Sequence, residues 1–360
     1  MISGLQQSPK PRRSRRWASG DSGHRRAPTL NSPGFELPTS GNYAFSPSTL
    51  PGLNVWLTAG KGITAATSPT VSSGTSPPAA TITGTPSATL VAGTTPANPM
   101  VSCVIALTGI LGTATFTWTI NGVSQGSLTT ATTVTLGTTG LTFNCPAGTY
   151  TLGDTYNVYA SVSALTDQSG LGNNVSQLTS SKQPFYFASG TTGYGSSANL
   201  PVLNFVAANV QNMTNGTLAL AQPCTVYCVG NQPAPNTSGF NDFSSAVPIL
   251  YGIVSTNNLG MYAGTGVPGP TTVVTSPCVM SGVFTGVSSV GYVNSSGGGA
   301  SNSPGTNGFV SGYAIGGGIN ITNAMTGNLA AFLIYSGAHS AAVVSQVFQY
   351  FGALYGHAWS

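Results

Sequence analysis

The sequence predicts an all-β protein of many short strands, closed by one C-terminal helix and preceded by an extended basic arm. Three features predict it. Val, Ile, Leu, Tyr and Phe recur in short runs punctuated by Gly, Pro and Asn, and apolar residues make up 40% of the chain, enough for a packed core. Residues 113–120, TATFTWTI, alternate strictly: Ala114, Phe116, Trp118 and Ile120 share one face, Thr113, Thr115, Thr117 and Thr119 the other. Only residues 340–354 carry apolar side chains at clear helical spacing. At 360 residues the chain has room for two or three domains.

Charged residues are 4% of the sequence, and Gly, Ser, Thr, Asn and Pro take the positions that Lys and Glu usually fill. The charge is also segregated. Lys10, Arg12, Arg13, Arg15, Arg16, Arg25 and Arg26 are seven of the nine basic residues, and with Asp21 they give residues 1–26 a net +6. The remainder sets Lys61 and Lys182 against Glu36, Asp154, Asp167 and Asp242, a net −2. Residues 1–34 therefore read as a basic arm on a nearly neutral body. No apolar run approaches the roughly 20 residues of a membrane helix, and none follows the arginines, so neither a membrane span nor a secretory signal is expected.

After a Pro- and Ser-rich lead-in, LPGLNVWLTAGKGI, 50–63, reads as the first strand of the body, with Val55 and Leu57 on one face and Trp56 on the other. TSPTVSSGTSPPAATITGTPS, 67–87, has the composition of a linker. From about residue 80 to 163 short strands follow at close spacing, and Asn121-Gly122 marks a hairpin. In CTVYC, Cys224 and Cys228 face one side of a strand, about 13 Å apart, beyond the roughly 7 Å span of a disulfide. They read as buried thiols. Cys103 and Cys145 either bridge strands or stay reduced; the odd count of five cysteines suits a reducing compartment. The closing helix is capped by Ser340, and Val343, Val347, Phe348, Phe351 and Leu354 form the face expected to pack on the sheets.

Two family resemblances run through these elements. GTATFTW, TGLTFNCPAGTYTLGDTY and the strands between them resemble a β module of bacteriophage tail and virion proteins. The Trp56 strand, the DQSGLGNN loop, VLNF, TVYCV, GYVN, AAFLIY and a closing helix ending at YG appear in the order of the concanavalin A-like lectin/glucanase superfamily. They resemble above all the laminin-G-like domains of phage and bacterial surface proteins. The resemblance implies a concanavalin A-like jelly-roll sandwich over residues 35–65 and 164–360, with a second small β-sandwich, 66–163, inserted in a loop. Loop closure permits this, since each doubling of loop length costs only about 0.6 kcal/mol. The two ends of the insert must then lie close together.

The chemistry is sparse. Glycoside hydrolysis normally uses two carboxyl groups about 5–10 Å apart; the glucanase branch carries them on one strand, and no strand here offers such a pair. Neither a nucleophile elbow nor zinc-ligand spacing is present. The chain is therefore expected not to be an enzyme, a polysaccharide-degrading activity being the disfavoured reading. Lectin-like sandwiches often hold calcium in loops, so Asp167, Asn173 and Asn174 are candidate ligands; the alternative is a loop in which Asp167 caps backbone N–H groups. No other cofactor is expected. A sugar site without catalysis needs an aromatic platform and amide donors, and Tyr194, Tyr251, Tyr262 and Tyr292 lie near Asn- and Gly-rich loops. The sequence does not choose among them.

The expectation is a bacteriophage virion protein, made in the host cytoplasm: a tail fibre or head appendage, possible as a trimer, that presents a lectin-like domain to host surface polysaccharide. A capsid decoration protein without a receptor role is the alternative. The arm has three readings. It docks on an acidic groove of another virion protein (capsid, portal or adaptor, or tail), stays a solvated tail, or binds nucleic acid.

Overall fold

A computed structural model describes residues 45–65, 80–84, 101–120, 122–187, 201–233, 239–242, 247–252, 256–295, 300–317 and 324–359. Strands dominate, as the sequence predicts, and α-helix among the described residues is confined to Ala341–Tyr355.

The strand Gly327–Ser336 organises the body. It pairs antiparallel with Cys224–Asn231 along one edge. Along the other it meets Leu53–Thr58 and Val202–Phe205, which follow one another end to end. Cys278–Phe284 and Ser289–Val293 extend the sheet beyond Cys224–Asn231. Side chains of the central strands divide between two cores. Val55, Leu57, Val226, Cys228, Phe332 and Ile334 enter one; Trp56, Tyr227, Val229, Leu333 and Tyr335 enter the other, beneath the helix. This explains why CTVYCV and AAFLIY carry no polar alternation: both faces are covered.

Strand Ala160–Leu165 links this sheet to a second one. Its first residues pair with Phe185–Phe187 in the first sheet, its last with Ile63–Ala65 and Val175–Ser176. The second sheet continues through Met213–Asn215 and Tyr313–Ile315 to Asn241–Asp242. A bridge between Gly239 and Tyr251 leads on to Ile249–Gly252, Asn258–Tyr262 and Gly266–Val273. Leu250, Leu259 and Met261 from these strands share the first core with Val226 and Phe332.

Residues 80–158 form a third, separate core. Thr155–Val158, Val101–Leu107, Thr115–Ile120 and Val123–Thr129 make one sheet; Thr81–Gly84, Leu141–Asn144 and Thr133–Thr135 make another. The cluster centres on Phe116, Phe143 and Tyr156, with Phe143 stacked edge-on against Phe116 at 4.8 Å. Ile120 pairs with Val123, and Gly122 takes φ +78°, so the hairpin forms where expected. The linker reading of 67–87 holds less well: Thr81–Gly84 is a strand, because pairing with Leu141–Asn144 outweighs its turn-like composition. The chain leaves the body after Ile63–Ala65 and re-enters at Ala160–Leu165. Those two strands are hydrogen-bonded neighbours, Val162 opposite Ala65 and Leu165 opposite Ile63. The ends of the insert thus lie together.

The helix buries Val344, Val347, Phe348, Tyr350, Phe351 and Tyr355. Its contact face is turned slightly from the expected one: Val344 replaces Val343, and Leu354 packs only at the margin. Ser340 Oγ accepts from Val343 N at 3.4 Å, and Gly356 ends the helix in the left-handed region. Just ahead of it, His339 Nδ1 lies 2.7 Å from the Tyr227 hydroxyl. All five cysteines are free and buried, including Cys103, whose thiol burial pushes up to about 12.

Phe143→Ala should cost about 3–5 kcal/mol, confined to the insert. A denaturation curve should split, an early step reporting Trp118 and a later one at the wild-type midpoint; a single early transition would contradict separate cores. Burial lowers His339 to about 4. The fold resists a proton that the unfolded chain accepts below about pH 6.5. Stability should therefore fall as pH drops from about 6.5 toward 4, and His339→Gln should flatten that slope in pH-dependent melts.

Candidate functional site

Asp167 is 6% exposed and its carboxylate is fully engaged. Oδ1 accepts from Trp56 N at 2.8 Å and Ser169 N at 2.9 Å; Oδ2 accepts from Ser169 Oγ at 2.6 Å and Asn173 N at 3.0 Å. Asn174 Oδ1 accepts from Asp167 N, and the Asn173 amide donates to Asn54 O. Tyr313, its hydroxyl pushed well up by burial and then by the Asp167 charge, donates to Asn173 O at 2.8 Å. The lone pairs a cation would need point at hydrogens instead. Asp167, Asn173 and Asn174, the candidate calcium ligands, are thus arranged as in the alternative reading, with Asp167 capping backbone N–H groups in a clasp between the first strand and the second sheet. No cluster of three or more His, Cys, Asp or Glu suited to a metal occurs among the described residues.

The structure separates the four candidate tyrosines. Tyr194 lies outside the described residues, and Tyr292 is buried against the helix-side core. Tyr251 and Tyr262 are half-buried and share one face. Tyr251 stands opposite Gly260, and Tyr262 opposite Ile249 and Gly266. Leu250, Leu259 and Met261 enter the first core from one face of these strands; Tyr251 and Tyr262, on the other face with Ile249, are partly buried and pack against the same core. The Tyr251 ring lies across Gly260, where any Cβ would collide with it, and its hydroxyl reaches a point 3.1 Å from the Cβ position of Gly266. The ring thus spans three strands on a floor of glycine backbone and converges on the strand pair that carries Tyr262. Burial raises the Tyr251 hydroxyl.

Past Tyr262 the hairpin turn meets the loop 303–310. The Asn307 carboxamide sits 3.4 Å from the Cβ position of Gly264. The same loop walls a cleft of about 880 Å³ whose lining includes Leu220, Gln222, Pro223, Thr285, Phe309 and Val310. Gln222 staples the cleft: it donates to Gly305 O and Asn307 O and accepts from Gly286 N at 2.6 Å. Leu220 and Phe309 exchange backbone hydrogen bonds of 2.7 Å. The loop that presents Asn307 is therefore held from both sides.

The other sequence-predicted site residues are not brought here. Lys10, Arg12, Arg13, Arg15, Arg16, Arg25 and Arg26 lie outside the described residues, as does Glu36. Asp154 caps a turn, accepting from Thr151 N at 3.1 Å.

No protein-family model matches the chain, and no curated protein does. Solved structures do. An arabinofuranosidase complexed with arabinofuranosyl-alpha-1,2-xylobiose matches 58% of this chain at 14% identity, with a TM-score of 0.36. An α-L-arabinofuranosidase mutant soaked with 4-nitrophenyl α-L-arabinofuranoside matches 58% at 12% identity, with a TM-score of 0.40. A Trypanosoma rangeli sialidase in complex with the inhibitor DANA matches 52% at 11% identity, with a TM-score of 0.33. The match spans 57% of each arabinofuranosidase chain and 30% of the sialidase. These neighbours are glycosidases, and they overturn the expectation that the chain is not an enzyme. That expectation rested on the missing carboxylate pair, nucleophile elbow and zinc-ligand spacing. Sialidases use a tyrosine nucleophile, so a missing strand-borne pair does not exclude hydrolysis. At these scores the likeness assigns no activity to any residue of this chain.

Asp167→Ala should strand four donors and destabilise the body by about 3 kcal/mol, read by denaturant unfolding. Added calcium should leave the wild-type midpoint unchanged. A calcium-dependent rise abolished by the substitution would restore the metal reading.

Proposed function

We propose that the chain is a bacteriophage virion protein that attaches by its basic arm and presents a glycan-binding face to the host surface. In this reading residues 35–65 and 164–360 form a concanavalin A-like jelly-roll sandwich, and residues 66–163 are a second sandwich carried in one of its loops. The hydrogen-bonded ends of the insert support the nesting. The observation that carries the function is the Tyr251 ring laid on Gly260 beside Tyr262. A half-buried aromatic ring held flat on glycine backbone, with an amide nearby, suits the C–H face and hydroxyl rim of a pyranose ring.

The arm supplies the attachment. Six arginines between residues 12 and 26 offer planar forks that pair bidentately with carboxylates, and Pro9, Pro11 and Pro28 limit the entropy lost on docking. Its partner is an acidic surface on another component of the particle.

Two assays test the proposal. The purified full chain should sediment with host cells or extracted surface polysaccharide, and the same incubation shows whether the polysaccharide is shortened. Removing residues 1–30 should leave a folded, glycan-binding protein that no longer joins the particle, and wild-type attachment should weaken with salt. Normal incorporation of the truncated chain would sink the docking role. Genome crosslinks to the arginines would reassign the arm to nucleic acid.

A further inference from the structure

The geometry points to one ligand class for the tyrosine face: an uncharged glycan chain of at least two sugar units, running from Tyr251 past Tyr262 to Asn307. This deepens the proposed glycan-binding function and rests on it.

Three observations carry the inference. The first is spacing. Tyr251 and Tyr262 are diagonal neighbours across an antiparallel pair, which sets their Cα atoms about 7–8 Å apart. One sugar ring covers one aromatic ring, so filling both needs a chain. The second is the floor. Gly260 and Gly266 hold the Tyr251 ring against the backbone, so it has little freedom to lose when a sugar stacks on it. Asn307 then offers a hydrogen-bonding amide at the far end. No hydrogen bond engages that carboxamide among the described residues, whereas its backbone oxygen is held by Gln222.

The third is charge: among the described residues no lysine stands near the tyrosines to pair with an acidic sugar. A uronate or sialate carboxylate, partly dehydrated on an aromatic face, needs a cation or a nest of N–H donors. The lysines among the described residues are Lys61 and Lys182, and burial lowers His339 to about 4. Lys182 sits beside Asn212, at the head of strand Met213–Asn215. Strands Tyr313–Ile315 and Asn241–Asp242 stand between it and Tyr251, three strand spacings or about 14 Å. Lys61 lies further along the same sheet, beyond Val175–Ser176.

The test compares neutral hexose oligomers of one to six units with uronate oligomers of equal length, bound to the full chain and followed by calorimetry. Neutral oligomers should gain about tenfold in affinity from one unit to two or three. Tyr251→Ala and Tyr262→Ala should each lose about tenfold, Tyr251→Phe should stay within about twofold, and Asn307→Ala should lose about threefold. Raising salt from about 0.05 to 0.5 M should change neutral binding less than about twofold. Tyr251→Phe keeps the ring on Gly260, so it reports on the site even where the alanine variant fails to fold. Tyr251-dependent binding that prefers uronates, or affinity already complete at one unit, would overturn the inference and leave the glycan-binding function standing. Glycan binding unaffected by every tyrosine variant would overturn the site alone. A chain that binds no glycan would overturn both.

Discussion

Strand Gly327–Ser336 is buried on both faces, and a strand so placed has no polar side to mark its register. A slip by one residue would exchange one apolar set for another, with little penalty from pattern alone. Polar groups at one end supply what the pattern lacks. Asn204 donates to Asn328 at 2.9 Å, and Asn328 donates to Asn231 at 3.0 Å, an amide ladder over three adjacent strands. Shifting any strand would strand a buried amide, which is far more costly than misplacing a methyl group. Gly230 sits beside the ladder where the Asn328 carbonyl leaves no room for a Cβ, and the register shifts there between Val229 and Gly230. The alternation that sends Tyr227 toward the helix and Cys228 toward the second sheet depends on this registration. So do the seating of the helix and the placing of the tyrosine strands over the first core.

Much of this was legible in the residues, and the boundary is instructive. The opposite faces of Val55, Trp56 and Leu57, the threonine face of 113–120 and the closing helix follow from local periodicity, which packing preserved. Thr81–Gly84 was hidden because its pairing partner, Leu141–Asn144, lies far along the chain. The helix turned to seat Val344 because the sheet beneath it, rather than its own hydrophobic pattern, sets the final rotation. The Asp167 loop admitted two readings, and only the directions of four donors separated them. Tyr251 was named with three other tyrosines on composition alone. The signal that distinguishes it is Gly260, Gly264 and Gly266 around Tyr262 in NLGMYAGTG. Glycines facing outward from a strand leave a gap that a neighbouring aromatic ring can occupy. The expectation against catalysis had another origin: it was drawn from missing motifs, and a missing motif does not exclude a chemistry.

The distribution of charge divides the molecule's chemistry in two. Asp154 and Asp167 are each spent on turn N–H groups, and the body has almost no free charge with which to hold a partner. Whatever it recognises must be selected by shape, aromatic contact and neutral hydrogen bonds, forces that ionic strength hardly touches. The arm has the opposite character, six arginines and a lysine within residues 10–26. Its interactions are long-ranged, quick to form and weakened by salt. Contacts made by the two parts would be governed by different physics. Under the proposed reading, salt would weaken attachment and leave recognition unchanged, and a neutral body would not compete with the arm for an anionic surface.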